Sequence, residues 1–274
     1  MVKTLDKREQ AGDAAGPDNG APIKLRDVDR MGGFAKGLAV IEAFGEGRPA
    51  RTIAEIARVS GLDRASARRC LLTLVEAGYA TKDGTYFQLT PRILRLAQAY
   101  LSTSLPRLIQ PYLDQVADQL QESCSAAVLD GTEIIYIARA VHHRIMAAAL
   151  HPGSRLPAYC TTMGRVLLAS LPPEQARAIL ERSERKQLTK KTLVEVDDLM
   201  KELEKVGRDG YSVIDGELQV NSRSIAVPIY NTAGKAVCAF TVGVHAANAD
   251  RKRLVNEFLP VLRNAQAQLA GILP

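Results

Sequence analysis

Two stretches with helical spacing, separated by a glycine turn, constrain the fold of this chain more than any other feature. Residues 52–60 place their apolar side chains on one helical face, and Thr52 with Glu55 fits a capping box at a helix start. Gly61 suits the left-handed residue that ends a helix, and Asp63 can cap the next helix. The pattern predicts two short helices joined by a tight turn, which is the arrangement that presents a second helix to the DNA major groove.

The second helix, residues 64–77, is predicted to have an apolar face and a basic face. Arginine can bind guanine as a bidentate pair or bind a phosphate, and small residues allow close approach to the groove. From this helix and its surroundings we predict DNA contacts by Thr52, Arg64, Ala65, Ser66, Arg68, Arg69, Thr73 and Lys82. The alternative is a small structural bundle of helices with solvated arginines.

A hairpin is predicted directly after this helix. Residues 79–81 and 85–89 have strand character on either side of an Asp83-Gly84 turn, and Lys82 is expected at the tip of this wing. Residues 34–44 predict a preceding helix whose core face includes Leu38, Ile41 and the aromatic side chains. The order of helices, turn and hairpin indicates a winged helix-turn-helix.

Composition narrows the class of protein. The chain has 274 residues, enough for two domains, and a net charge of +6 permits an anionic partner. Its four cysteines are scattered, which argues against a disulfide framework or a zinc site. No stretch predicts a membrane span or a signal peptide, so we expect a cytoplasmic protein. We find no phosphate-binding glycine loop or paired-carboxylate motif, and we predict no cofactor and no enzymatic activity.

The rest of the chain predicts four regions of different character. Residues 1–30 are expected to be a disordered tail, residues 31–90 the DNA-binding domain, and residues 91–105 an amphipathic linker helix that ends at Pro106 and can pair two subunits. Residues 106–274 predict a domain of mixed strands and helices, so the fold class is α+β. The main predicted strands are 125–129, 133–139, 144–150, 224–229 and 236–244, and the main predicted helices after residue 122 are 162–169, 173–181, 196–206 and 250–272.

From about residue 33 onward the chain resembles the IclR family of bacterial transcriptional regulators. The resemblance is carried by residues 37–41, 69–74, 153–169, 209–211 and 223–228, and the variants at 122–125, 144–146 and 223–228 are most similar to the PcaR/PcaU/PobR branch. It implies a winged helix-turn-helix joined by a linker helix to a GAF-like α/β effector-binding domain. It also implies homodimers or homotetramers on operator DNA, and control of aromatic-acid catabolism in the β-ketoadipate pathway by protocatechuate, 4-hydroxybenzoate or β-ketoadipate.

The resemblance implies effector contacts at Thr162, Met163, Ser222, Ser224 and Thr241. The residues themselves add further candidates: Thr161 lies where a helix opens, and free N–H groups there favour an anion. Arg144 and Met146 alternate onto one face of their predicted strand, and Arg144 is our candidate partner for an effector carboxylate. An exposed arginine at a strand edge is the alternative. Another basic residue can take the role instead, although Arg155 and Arg223 can equally be structural.

One departure from the family lies at Asn221-Ser222, where the family usually has Gly-Leu. Asparagine tolerates a left-handed backbone, so we expect the turn to survive, while serine makes the pocket wall smaller and more polar.

Two short motifs invite other interpretations. His142-His143 fits a metal or acid–base pair, but adjacent strand residues point to opposite faces, which favours a loop pair that binds nothing. Ser123-Cys124-Ser125 lacks an identifiable base and is predicted to be a packed strand start. The favoured function is a ligand-responsive transcription factor. The alternative is a small-molecule-sensing enzyme or signalling module whose helix-turn-helix serves protein interaction.

Overall fold

The computed structural model describes residues 31–45, 48–101, 104–142 and 150–273. The chain forms two compact units that divide between Leu96 and Ala97. The predicted tail, residues 1–30, and the predicted strand as far as residue 149 lie outside the described residues. The limits proposed for the DNA-binding, linker and effector-binding regions stay predictions.

The first unit is a helix-turn-helix followed by a hairpin, as predicted. Its elements are α1 (Gly32–Glu42), β1 (Ala50–Thr52), α2 (Ile53–Ser60), α3 (Arg64–Glu76), β2 (Ala80–Asp83) and β3 (Tyr86–Leu89). The strands form an antiparallel sheet in the order β1-β3-β2. Strand β1 was not predicted, because three residues are too few to show an alternating pattern.

The predicted caps fix where α2 and α3 begin. The Thr52 hydroxyl accepts the Glu55 N–H at 3.3 Å, and the Glu55 carboxylate accepts the Thr52 N–H at 2.8 Å. Asp63 accepts the N–H of Ser66 at 2.8 Å, and Gly61 ends α2 with a φ of 68°. These hydrogen bonds to the backbone hold the pKa of both carboxyls, Glu55 and Asp63, below their usual values.

The core of this unit differs from the prediction on α1. Val40 is fully buried, but Phe34 and Leu38 are 65% and 44% exposed. The predicted core face is wrong for these two residues. At 100° per residue Leu38 lies about 160° around the helix from Val40, so a single helical face cannot bury both.

The linker region also departs from the prediction. A 3₁₀ turn over Pro91–Ile93 leads into α4 (Leu94–Leu101), and α5 (Ser104–Leu120) follows. Pro106 lies in the first turn of α5 instead of ending the helix before it. Proline is tolerated there because the first N–H groups of a helix lack helical acceptors.

The second unit is built on a six-stranded antiparallel sheet in the order β6-β5-β4-β9-β8-β7. Its strands are β4 (Cys124–Asp130), β5 (Glu133–Ala140), β6 (Arg155–Pro157), β7 (Ser212–Asp215), β8 (Ser222–Tyr230) and β9 (Ala236–His245). The short edge strands β6 and β7 were not predicted. The remaining helices are α6 (Thr162–Ala169), α7 (Pro173–Arg182), α8 (Val196–Asp209), α9 (Arg251–Arg253) and α10 (Leu259–Ala270).

Separate hydrophobic cores cover the two faces of this sheet. Ile109 and Leu113 of α5 pack with Leu262 of α10 on one face. Met163 of α6 and Leu203 of α8 belong to the core on the other face.

A π-helical turn, Leu254–Phe258, joins α9 to α10, so the predicted C-terminal helix is present with one widened turn. Among the described residues, no helix has the length and apolar character needed to cross a membrane.

Candidate functional site

A cavity of about 520 Å³ lies in the second unit, where the sheet meets the start of α6. Every predicted effector residue that the structure describes lines it: Thr161, Thr162, Met163, Ser222, Ser224 and Thr241. The predicted contacts Arg144 and Met146 lie outside the described residues. Apolar side chains such as Leu156 and Leu218 complete the walls. A concave, partly apolar site with a few polar groups suits a small organic ligand.

Three hydroxyls from different elements meet at this cavity. The Thr162 hydroxyl lies 3.2 Å from that of Ser224 and 3.1 Å from that of Thr241. Thr241 also donates to the carbonyl of Ile225 at 2.9 Å. This hydroxyl cluster (Thr162, Ser224 and Thr241) can donate hydrogen bonds to an oxygen of a ligand or accept them from a ligand hydroxyl.

Helix α6 begins against the backbone of Ala158. The Thr161 hydroxyl accepts the Gly164 N–H at 3.2 Å and donates to the Pro157 carbonyl at 3.1 Å, as expected of a capping residue. A Cβ on Gly164 would stand only 2.1 Å from the Ala158 carbonyl oxygen. Glycine is therefore required for α6 to bring Thr162 and Met163 to the cavity.

The loop between β7 and β8 forms another wall. Asn221 has a φ of 63°, so the expected left-handed turn is present with asparagine in place of glycine. The Ser222 hydroxyl donates to the Gln219 carbonyl at 2.6 Å. Serine at this position thus stabilises the loop that carries Leu218 and Gln219 into the cavity lining.

Two arginines considered for the effector carboxylate have acidic partners of their own. Arg155 is half-exposed and pairs with Asp130 and Glu133, both at 2.8 Å. Arg223 lines the cavity, but it pairs with Asp215 at 3.0 Å and donates to the carbonyl of Ala246. A structural role, in which each arginine pairs with acidic residues of the protein, therefore fits both Arg155 and Arg223.

The sequence analysis missed several residues of the lining, foremost Ser125, Tyr136, Arg139 and Cys160. Strand alternation in β5 gave no signal for Tyr136 and Arg139, because residues three apart in a regular strand face opposite sides. Burial raises the pKa of Tyr136 to about 12 and that of Cys160 to about 11. Both side chains are therefore protonated at neutral pH, and Cys160 lacks the thiolate that a nucleophile needs.

Two motifs invited catalytic interpretations in the sequence, Ser123-Cys124-Ser125 and His142-His143. Cys124 is fully buried at the start of β4, and burial raises the pKa of its thiol. It is a packed strand start, as predicted. His142 is described but His143 is not, and the described residues contain no group of three metal-ligating side chains.

The predicted DNA-binding residues lie mainly on the outer face of α3. Arg64, Ala65, Arg68, Arg69 and Thr73 are all exposed. We refer to these exposed residues of α3, together with the exposed Lys82 of the hairpin, as the α3 face.

The other two predicted contacts, Ser66 and Thr52, are not fully exposed. Ser66 is only 3% exposed and accepts a hydrogen bond from Arg69 at 3.2 Å, so the prediction that it lies on the exposed face is wrong. The first turn of α3 packs this side chain inward next to Ala67. Thr52 is half-buried in its capping box.

Lys82 is exposed but does not occupy the hairpin tip. It pairs with Phe87 inside the ladder, and residues 84–85 form the two-residue turn. The predicted tip position is wrong because Asp83 still pairs with Tyr86.

Comparison with known families identifies the chain. A family model described as the C-terminal part of the bacterial transcriptional regulator IclR matches residues 97–270, and the IclR helix-turn-helix domain matches residues 34–84. The chain belongs to the IclR family of transcriptional regulators. It therefore carries the DNA-binding domain of that family in its first unit.

Two curated relatives cover most of the chain. The Pca regulon regulatory protein of Pseudomonas putida is 44% identical over 89% of this chain and 84% of its own length. The p-hydroxybenzoate hydroxylase transcriptional activator of Acinetobacter baylyi is 33% identical over 91% of this chain and 94% of its own length.

Two similar crystal structures contain hydroxybenzoates. An IclR homolog from Microbacterium hydrocarbonoxydans in complex with 4-hydroxybenzoate has a TM-score of 0.71 and 25% identity, covering 87% of this chain and 97% of its own. The inducer-binding domain of a PobR double mutant from Acinetobacter, in complex with 3-hydroxybenzoic acid, has a TM-score of 0.59 and 28% identity. It covers 62% of this chain and 100% of its own.

Proposed function

We infer that this protein regulates transcription of genes for aromatic-acid catabolism in the β-ketoadipate pathway, in response to a small carboxylic acid bound in the cavity of its second unit. The observation that carries this proposal is the cavity itself, in which the hydroxyl cluster and the start of α6 face apolar walls. The names of the relatives and the hydroxybenzoates in two similar structures support the ligand class. Protocatechuate, 4-hydroxybenzoate and β-ketoadipate are the candidate effectors.

The α3 face is the proposed DNA-reading surface. Its arginines can bind guanine edges or phosphates, and Lys82 on the hairpin can contact the phosphate backbone. Binding to a palindromic operator requires two copies of such a domain. The linker helix α4 leaves large apolar side chains exposed, among them Leu94 and Leu96, which supports pairing into a homodimer or homotetramer.

Operator binding at several salt concentrations tests this surface. Arg69→Ala should weaken binding by about 1–3 kcal/mol, with most of the loss at one base pair if Arg69 contacts guanine. Arg182→Ala removes an exposed arginine of the second unit and is the matched control. Affinity that neither falls with salt nor responds to Arg69→Ala would favour the alternative function of the helix-turn-helix, protein interaction.

The effector is tested by thermal melting of the full chain with protocatechuate, 4-hydroxybenzoate, β-ketoadipate and their neutral amides. A ligand present at a hundred times its Kd stabilises the folded state by about 2.7 kcal/mol, enough to raise Tm by several degrees. A shift with one acid and none with its amide supports the proposal. If no acid in the panel raises Tm while operator DNA still binds, the proposed effector class is wrong.

A further inference from the structure

The loop between β7 and β8, residues 216–221, contributes to the cavity but is held by contacts outside it. Leu218 and Gln219 are part of the cavity lining. Their neighbour Glu217 is 8% exposed and lies outside the described lining. The groups that bind Glu217 therefore determine where Leu218 and Gln219 are placed.

The side chain of Glu217 connects this loop to helix α6. Its carboxylate accepts two hydrogen bonds from Arg165, both at 2.7 Å. Arg165 lies three residues after Thr162, which lines the cavity, and it also donates to the Tyr159 carbonyl at 3.1 Å. A two-pronged pair of arginine and carboxylate fixes orientation as well as distance. The start of α6 and the loop are therefore held in one relative position.

The backbone on either side of this carboxylate is held as well. The Thr192 hydroxyl donates to the Glu217 carbonyl at 2.6 Å, and the Thr189 hydroxyl donates to the Gly216 carbonyl at 2.6 Å. The N–H of Leu193 donates to the Glu217 carboxylate at 3.1 Å. Thr192 is 6% exposed, so loss of its hydroxyl would leave a buried carbonyl without this donor. Three residues ahead of α8 thus hold the loop together with α6.

The buried pair of Arg165 and Glu217 contributes direction more than stability. Loss of one partner leaves a buried charge uncompensated, which is costly. Replacement of both partners by apolar residues of similar volume is often neutral, because removing two charges from water is itself unfavourable. Apolar side chains lack the directional bonds of the ion pair. The pair is therefore best explained by the geometry that it imposes on the cavity lining.

We propose that Glu217 is a positioning residue for the effector. Held by Arg165 and Thr192, it keeps Leu218 and Gln219 in a fixed place relative to the start of α6, so that both parts of the lining contact the ligand together. Its effect on the ligand passes through those two neighbours. This inference rests on the proposed function of the same cavity.

The test is calorimetric titration of the full chain with protocatechuate, 4-hydroxybenzoate and β-ketoadipate, at a temperature where circular dichroism shows every variant to be folded. Glu217→Gln keeps the size of the side chain without its charge and should weaken binding of the acid by about tenfold or more. Leu262→Ala is the control for lowered stability, because it removes a fully buried side chain from the core on the other face of the sheet. Its Tm should fall while its Kd stays that of the wild type.

A milder set of variants tests the backbone contact. Thr192→Val keeps the shape of the side chain but removes the donor to the Glu217 carbonyl, and it should weaken binding by about three- to tenfold. Thr192→Ser keeps the hydroxyl and should bind as the wild type does. Ser183→Ala is the control for loss of a buried hydroxyl, since Ser183 is 8% exposed and donates to the Ile179 carbonyl of α7 at 2.8 Å. Its Kd should also be unchanged.

A double variant separates placement from stability. Arg165→Met combined with Glu217→Leu replaces the buried pair by apolar side chains, so Tm should recover most of the loss caused by Glu217→Gln alone. The affinity should stay at the weakened level, because the directional contacts are absent. Recovery of the wild-type Kd together with Tm would show that the pair serves stability alone and would overturn the inference.

The remaining outcomes separate the two proposals. If the wild type binds an acid of the panel and both Glu217→Gln and Thr192→Val bind it equally well, Glu217 does not position the effector and only this inference fails. Equal weakening by Leu262→Ala would attribute the loss to lowered stability and would also overturn it. If the wild type binds none of the panel, the proposed function fails, and this inference fails with it.

Discussion

Arg165 and Glu217 form a two-pronged ion pair inside the second unit, with both nitrogen–oxygen distances at 2.7 Å. Arg165 is 2% exposed and also donates to the Tyr159 carbonyl at 3.1 Å. Glu217 accepts the N–H of Leu193 at 3.1 Å. The pair therefore ties helix α6, which opens at the cavity, to the loop that carries Leu218 into the cavity lining.

Neutralising Glu217 should destabilise the second unit strongly. Glu217→Gln leaves the guanidinium of Arg165 buried without a countercharge, and we expect a loss of about 3–5 kcal/mol in the free energy of unfolding, measured with urea. Glu133→Gln removes a partner of the half-exposed Arg155 and should cost no more than about 1 kcal/mol. Equal losses in the two variants would show that burial of the Arg165 pair has no special role.

Adding one methyl group at Gly164 should disrupt the cavity. The Cβ in Gly164→Ala would lie 2.1 Å from the Ala158 carbonyl oxygen, so α6 must shift or fail to pack. Gly207→Ala in α8 is the matched control, since its Cβ would have an ordinary contact at 3.9 Å and alanine favours a helix by about 0.5–1 kcal/mol. Thermal melting should show a lower Tm for Gly164→Ala and an unchanged or higher Tm for Gly207→Ala. Similar Tm values would contradict the close packing.

The turn at Asn221 should accept glycine but not a branched side chain. Because its φ is 63°, Asn221→Gly is expected to leave stability close to that of the wild type. Asn221→Val should lower the free energy of unfolding by about 1–2 kcal/mol, since the left-handed region is unfavourable for a branched residue. The measurement is the free energy of unfolding of the two variants in denaturant. A valine variant as stable as the glycine variant would contradict a left-handed backbone at this position.

Stability should depend on acid pH through Asp215. Hydrogen bonds first from Lys191, at 2.9 Å, and then from Arg223 lower the pKa of Asp215 in the folded state. Its contribution is therefore fully present above its unfolded-state pKa of about 3.9 and is lost as pH falls through the lower folded-state value. Asp215→Asn should reduce Tm at pH 7, and its deficit relative to the wild type should shrink in strong acid. A deficit that stays constant from pH 7 to pH 2 would exclude this carboxylate as the cause.

Local signals made the first unit predictable. The capping box at Thr52, the glycine at Gly61 and the cap at Asp63 each act within four residues, so the sequence predicts them without knowledge of the fold. The burial of Ser66 and the exposure of Leu38 depend instead on how α1 meets α3. Helical periodicity alone does not show which of two adjacent faces of a helix packs against its neighbour.

The cavity was predictable only in part. Thr161 and Ser224 were found through the helix start and the family resemblance, whereas Tyr136 and Arg139 were missed. Their shared orientation depends on a β-bulge at Ile137, which has no partner in β4, and an extra residue in a strand leaves no mark on its alternating pattern. The bulge becomes visible only when the partner strand is placed beside it.

The separation of the two cores by a single sheet has an evolutionary consequence. The core under α5 and α10 stabilises one face, while the face toward α6 carries, besides a core of its own, the side chains that line the cavity. Substitutions in the second set can change which metabolite is sensed while the first set keeps the molecule above its threshold of stability. A duplicated gene for such a regulator can therefore acquire a new inducer through a few replacements, without rebuilding the scaffold that positions them.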